Sequence, residues 1–331
     1  MNASSSYWGT FFCICTLCSF LGGVSLTAAQ EASRLQNQAD LDREIAALSN
    51  WGRWGASDER GTLNLLTPEK RMEAARLVKT GESVSLSRVM QNAAQPKELD
   101  SFTHSMISIG KGATGPWSMD RYSIAYHGGT YTHMDSLCHI FYKDKMYNGF
   151  SRDEVNERGA DKLNITIARE GIVARGLLID VPRLRGVRFL EPGSAIYQKD
   201  FEEWEKQTGL EVHPGDVVFI RTGKWLAAEQ SSGAGLAGLH ASSVAWLKQR
   251  DIAMLGSEGA ADVLPSQVEG VEFPVHVLLL HAMGTPIFDN CDLSELAVKA
   301  AELKRWEFML TAAPLVVEGG TGSPLNPIAT F

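Results

Sequence analysis

Between His127 and His139 the chain places three of its eight histidines and one carboxylate within thirteen residues, in the stretch Tyr126-His127-Gly128-Gly129-Thr130-Tyr131-Thr132-His133-Met134-Asp135-Ser136-Leu137-Cys138-His139. Two imidazoles and a carboxylate that leave a coordination position open make a metal site of the catalytic type, suited to Zn²⁺ or Mn²⁺. The lack of a paired cysteine argues against a closed structural zinc. A lone histidine is usually just a hydrogen-bonded loop residue. What weighs against that plainer reading is the combination His-x5-His-x-Asp-x3-His beside a Gly-Gly bend.

The four side chains fall at odd positions, so a fully extended strand would carry them on one face. Such a strand cannot bring them together, because His127 and His139 would lie ~40 Å apart at the usual rise per residue. Gly128 and Gly129 permit a bend that returns His127 toward His133 and Asp135. Those two share a direction only on extended backbone, since on a helix they would diverge by about 200°. Asp135 and Ser136 are good helix starters. A helical turn from Asp135 would set His139, at i+4, over the same face. The expected arrangement is therefore a bend, a short strand and a helical turn aimed at one point.

The segment resembles the His-x-Gly-Thr-His-x-Asp-x-Pro-x-His signature of the metal-dependent cyclase-like hydrolases, a family that includes bacterial kynurenine formamidase and isatin hydrolase. Thr132 to His139 fits the second half, with Leu137 at the signature's proline. Gly129 stands where the first histidine is expected, so His127 enters as a ligand through a two-residue insertion. The resemblance implies a swivelling β/β/α fold, metal ligands His127, His133 and Asp135, and His139 as the catalytic acid/base.

Length and composition set the frame. The 331 residues are 44% apolar and carry a net charge of −8, with mean hydropathy −0.11. This describes a soluble globular chain, and without a Lys/Arg cluster to track phosphates, nucleic acid is excluded as a partner. Residues 1–29 hold no Asp, Glu, Lys or Arg. The run Trp8 to Leu26 is mostly apolar and ends in Thr27-Ala28-Ala29-Gln30, which reads as a signal peptide. An uncleaved anchor or an over-long gene start is the alternative. The expected product is an exported single domain over residues 30–331, with no membrane association after cleavage. Cys138 and Cys291 remain in it and make no disulfide framework. Cys138 reads as a packed thiol, since a neighbour of His139 at i+1 points elsewhere.

The elements alternate as an α/β domain should, with a mixed sheet core flanked by helices. Thr67-Pro68-Glu69 starts a helix whose face is spaced by Met72, Ala75 and Val78 and which Gly81 ends. Val84 and Leu86 alternate as a strand, and Gln91 to Gly115 reads as loop, carrying His104. Val173 to Val181, Val217 to Arg221 and Ile252 to Gly256 read as strands, the first two buried on both faces. Asp200 is placed to cap a helix through Trp204. Trp51 and Arg53, in Asn50-Trp51-Gly52-Arg53-Trp54-Gly55, fit a binding surface or a packed loop equally.

Pro274 starts a helix through Met283 that ends at Gly284. His276 and His281 differ by about 140° around it, so only one can face the site. By resemblance that one is His276, and Asp289 takes the place of a second-site glutamate, one methylene shorter. A helix-end histidine and a turn-capping aspartate fit the same residues. Glu258 and Asp262 follow a strand end, where α/β folds carry ligand-binding groups, and are weaker candidates. His240 and His213 read as structural. Glu318 to Pro327 lacks the lysine of a P-loop and resembles the family's closing stretch, expected to pack near the site. The matches to the family run from about Trp51 to Phe331.

The reaction that the resemblance implies is hydrolysis of an amide-type bond, in an aryl formamide or a cyclic amide such as isatin. One divalent ion is expected, with a second left open. A lactone or lactam is the other substrate reading, and an exported metal- or ligand-binding module without turnover is the reading from another class. The expected partners are a small-molecule substrate and further copies of the chain, as a homodimer or higher homo-oligomer.

Overall fold

The computed structural model describes residues 35–92, 100–112 and 115–331; the expected signal segment lies outside them. Eleven strands matter for the site: β1 (Ser83–Ser85), β2 (Ser101–Ser108), β3 (Met119–Ala125), β4 (His133–Asp135), β5 (Ile172–Asp180), β6 (Val217–Arg221), β7 (Met254–Ser257), β8 (Ile287–Asp289), β9 (Glu307–Ala312), β10 (Gly322–Pro324) and β11 (Ile328–Thr330). All but β2 and β3 form one nine-stranded mixed sheet in the order β1-β11-β9-β5-β6-β7-β8-β4-β10. Its centre, β5 to β8, is parallel. Both flanks are antiparallel. β2 and β3 pair only with each other, as a hairpin.

Alternation along the central strands feeds a separate core on each face of the sheet. Leu177, Ile179, Val218, Ile220, Leu255 and Ile287 enter one core. The intervening Leu178, Val217, Phe219, Met254 and Phe288 enter the other. Strands buried on both faces need apolar residues at successive positions, which is why they read from the sequence as unbroken apolar runs. Helices Gln38–Leu48, Pro68–Ala75, Gln198–Thr208, Val244–Arg250 and Ser294–Leu303 flank the sheet. Among the described residues no helix is long and apolar enough to cross a membrane.

Several local expectations shift. In helix Pro68–Ala75 the cap is Thr67 as expected, but the buried residue is Ala74 and Met72 is exposed. With one short side touching the sheet, the helix has no need of the wider stripe. Asp200 sits three positions inside its helix, accepting the backbone N–H of Tyr197 at 2.9 Å and completing a capping box. His104 lies on strand β2, paired at 2.8 Å with exposed Asp120 across the hairpin; the polar alternation of a two-stranded ribbon looks like loop in sequence. The helix from Pro274 is α-helical only to His276 and continues as a π-helix over Val277–Met283. Its last carbonyls, left unpaired by any helix end, are taken by Asn50 and Trp51: Asn50 N donates to Ala282 O at 2.9 Å, Asn50 Nδ2 to Met283 O at 2.8 Å and Trp51 Nε1 to His281 O at 2.7 Å. The aromatic segment is thus a hydrogen-bonded loop that leaves Trp51 39% exposed.

Candidate metal centre

Strand β4 is three residues long, and its alternation decides the site. Met134 enters the core on one face, so His133 and Asp135 point together to the other. Register with β8 sets Asp289 opposite His133, and register with β10 sets Gly322 opposite Asp135. A side chain at Gly322 has no room: its Cβ would lie 2.5 Å from Met134 O and 3.0 Å from His127 Cε1.

The bend is present across residues 127–131, but glycine at 129 is not what forces it. A Cβ there would meet nothing nearer than Asp100 Oδ2, at 3.9 Å. Hydrogen bonds shape it instead. The Asp100 carboxylate accepts Gly129 N at 2.9 Å and Thr130 N at 3.0 Å. After β4, Ser136 to His139 form a turn closed by His139 N to Ser136 O at 3.0 Å. The expected helical turn is thus a reverse turn, which delivers His139 to the same place.

The side chains converge. His127 Nδ1 is 3.0 Å and His133 Nε2 3.4 Å from Asp135 Oδ1. His139 Nε2 and His276 Nε2 are each 3.9 Å from Asp135 Oδ2, and His276 Nε2 is 3.3 Å from Asp289 Oδ2. Two donor groups within metal-binding reach share Asp135: His127, Asp135 and His139, and His133, Asp135 and Asp289. The structure therefore gathers all six residues singled out in the sequence.

Three of the imidazoles are anchored through the nitrogen that points away from this centre. His127 Nε2 meets Thr321 Oγ1 at 2.9 Å, His133 Nδ1 meets Tyr131 O at 2.8 Å, and His276 Nδ1 meets Asp262 Oδ2 at 2.6 Å. An acceptor at Tyr131 O and Asp262 fixes the proton on the outer nitrogen and turns the inner lone pair on the centre, the usual support for a metal-ligating histidine. Thr321 belongs to the glycine-rich closing stretch, which does pack at the site. It escaped the sequence reading, for which a threonine beside two glycines carries no signal. Asp262 was found only as a weak candidate; its signal was its place just past the end of β7. His281 faces away, against Lys145 O and the rings of Trp51 and Tyr142.

Charge at the centre follows from this packing. Burial opposes the carboxylate of Asp135, yet His139, His133 and His127 around it hold its pKa well below the usual range. Burial likewise opposes charge on His133 and His276, but Asp135 lifts the first to about 9, and Asp289 with Asp262 holds the second well above normal. His139 goes the other way, its pKa lowered chiefly by burial and further by the imidazoles beside it; its ring stacks on His127, with centroids 4.2 Å apart. The carboxylates thus demand positive charge at the middle of the cluster, from protons or from a divalent ion. A cation also fits the unmet valences there. Asp135 Oδ2 and Asp289 Oδ1 are buried without a hydrogen-bond partner, and the 3.0 Å approach of His127 Nδ1 to Asp135 Oδ1 is not aligned as a hydrogen bond; leaving such groups unsatisfied is costly.

Cys138 and Cys291 are buried free thiols, and burial pushes Cys138 up to about 12, far from a thiolate nucleophile. Glu258 is buried outside the cluster and accepts backbone N–H groups from Thr222, Gly223 and Lys224. His240 caps its own turn through Ser242 N. A cavity of about 810 Å³ lies beyond the bend between Arg88, Asp100, Thr130 and Asp292. A smaller one of about 240 Å³, lined by Leu190, Pro192, Ala227 and Leu236, reaches Lys224.

Residues 58–261 match the model of a family described as putative cyclase, a span that stops short of His276 and Asp289. Among solved structures the chain is similar to the crystal structure of a novel cyclase, 30% identical, with a TM-score of 0.78 over 87% of this chain and 99% of that one. It is also similar to isatin hydrolase A from Ralstonia solanacearum, 24% identical, with a TM-score of 0.55 over 75% of this chain and 91% of that one. An isatin hydrolase bound to the product analogue thioisatinate is 20% identical, with a TM-score of 0.55 over 80% and 98%. At those identities the last two speak for the fold. No curated protein matches the sequence.

Proposed function

The chain belongs to the putative cyclase family, and from that premise we propose that it is a metal-dependent hydrolase of amide-type bonds, in a cyclic amide or an aryl formamide. One observation carries the reading: imidazoles, three of them locked by outer hydrogen bonds, turn four inner nitrogens on Asp135, 3.0 to 3.9 Å from its buried oxygens and none aligned as a hydrogen bond. That is the construction of a cation site. The isatin hydrolases that share the fold support a cyclic amide as substrate.

His127, His133 and Asp135 would hold the ion, with His276 and Asp289 as further donors beside Asp135 and His133; Zn²⁺ and Mn²⁺ suit this donor set. Bound there, a divalent ion supplies Lewis acidity toward a carbonyl oxygen and acidifies water. The chain's own residues do the rest. Asp135 and Asp289 place the negative charge that retains the cation. His139 is assigned to proton transfer: it stands farther from Asp135 than His127 or His133 does, and its side chain is 27% exposed against 3% for His133. Its lowered pKa keeps the ring neutral at pH 7, so it can take a proton from water at Nε2 and pass it to the departing nitrogen. An amide needs that proton, because an amide anion is a very poor leaving group.

Metal analysis of protein purified without chelator or metal-affinity tag tests the site, followed by a screen of isatin, N-formyl anilides and small lactones with and without chelator. Chelator-sensitive hydrolysis of at least one of these is the expected result. Asp135→Ala should lose both metal and turnover; wild-type metal content in that variant would sink the ligand assignment. We further propose that the protein is exported and self-associates, readable as an N-terminus near Gln30 on the mature chain and as a scattering mass above that of one chain.

A further inference from the structure

Lys224 follows the C-terminal end of β6, after Gly223 turns the chain in the left-handed region at φ 78°. Its ammonium donates to Gly129 O at 2.8 Å and to Asn290 Oδ1 at 2.8 Å. Asn290 comes directly after Asp289, at a positive φ of 54°. Its amide nitrogen donates to Gly128 O at 2.8 Å and to Tyr131 O at 3.3 Å. Tyr131 O is the same oxygen that accepts His133 Nδ1. Three carbonyls of the bend between His127 and His133, those of residues 128, 129 and 131, are thus held by two side chains that meet each other.

The amide of Asn290 has one consistent orientation. With its oxygen toward the ammonium and its nitrogen toward Gly128 O and Tyr131 O, every group has a partner; flipped, it would set donor against donor and acceptor against acceptors. The ammonium enforces that orientation. Without it, Gly129 O loses its donor and Asn290 Oδ1 its acceptor role, so the amide is held only by its two bonds to Gly128 O and Tyr131 O.

We propose that Lys224 is a positioning residue for the metal centre: acting through Gly129 O and Asn290, it clasps the bend so that His127 and His133 arrive together at Asp135. This rests on the reading that those residues hold a cation. The clasp also ties the bend to the end of β8, since Thr132 Oγ1 donates to Asn290 O at 2.8 Å. The strand that carries Asp289 and the loop that carries His127 are therefore tied to each other through Asn290.

Co²⁺ alone is the probe, because its visible absorption reports the number and geometry of its ligands independently of turnover. In Lys224→Met, which keeps the aliphatic stem, Co²⁺ affinity should fall by at least ~10-fold, the scale of loss when a group supporting a ligand is removed. The absorption at saturating Co²⁺ should change as well, which a merely structural residue would not cause. Asn290→Ala should give the same altered spectrum, and the double variant should bind no more weakly than the worse single one, because the two act in series. If Lys224→Met fails to fold, Asn290→Ala and its spectrum carry the test. Wild-type affinity and spectrum in folded Lys224→Met would overturn the clasp while leaving the metal site standing. No Co²⁺ uptake by the wild type would overturn both.

Discussion

Replacing Asp262 by Asn separates the metal-site reading from ordinary packing. Asp262 is fully buried and accepts three hydrogen bonds: Val275 N on Oδ1 at 2.6 Å, and His276 N and Nδ1 on Oδ2 at 3.2 and 2.6 Å. Asn has one acceptor atom for those two positions. With its oxygen toward His276, its amide nitrogen faces the N–H of Val275; with its oxygen toward Val275, its nitrogen faces His276 Nδ1 and drives the ring proton to Nε2, the atom aimed at Asp289. Either way donor meets donor at the start of a buried helix, costing about 1–2 kcal/mol, the worth of a lost cap. The second orientation also removes the inward lone pair, for which a 10–100-fold loss in metal affinity, or ~1.4–2.7 kcal/mol, is the expected scale. The assay is competition against a chelator of known affinity, with urea unfolding of the chelated protein measured alongside. In a His276→Ala background the Asp262→Asn change should no longer alter metal affinity, though it should still lower stability. Equal loss of metal affinity in both backgrounds would refute the orientation argument.

Other outcomes follow from the same geometry. His139→Ala should retain its metal and lose ~10²–10⁴-fold in kcat, the usual worth of a positioned acid/base, measured by metal content beside initial rates. Gly322→Ala should destabilise by ~1–3 kcal/mol, as overpacking does, and weaken metal binding because the new methyl presses on His127; calorimetry with and without metal reads both. The stability carried by His281 and His240 should fall between pH 7 and pH 5, partly offset by His133, whose raised pKa works in the opposite sense. Burial lowers His281 and His240 to about 4, so below the unfolded value near 6.5 the unfolded chain binds protons that the native state refuses. Their stabilisation is complete above pH 6.5 and lost as pH falls toward 4, at ~2 kcal/mol each by pH 5. A difference in urea stability between wild type and His281→Leu that is the same at pH 7 and pH 5 would contradict this.

What the sequence by itself determined was a list of chemical groups and the local geometry that pairs them. Residues at i and i+2 share a face on any extended backbone, so His133 and Asp135 could be joined before the fold was known. The apolar runs that became β5 and β6 were legible because burial on both faces leaves no polar alternation to confuse. Helical angle limited the site to one of His276 and His281, and the family resemblance chose His276, although that helix widens into π geometry. Tertiary structure decided everything that depends on strand register. Asp289 reaches His133 because β8 pairs with β4 in one alignment, and Thr321 reaches His127 because β10 closes the far edge. It also decided what holds the bend: two glycines suggested freedom, whereas Asp100, Lys224 and Asn290, drawn from three distant parts of the chain, supply the constraint. Hydrogen bonds between residues so far apart in sequence leave no periodicity or spacing to read, and they exist only once the sheet has brought its strand ends together.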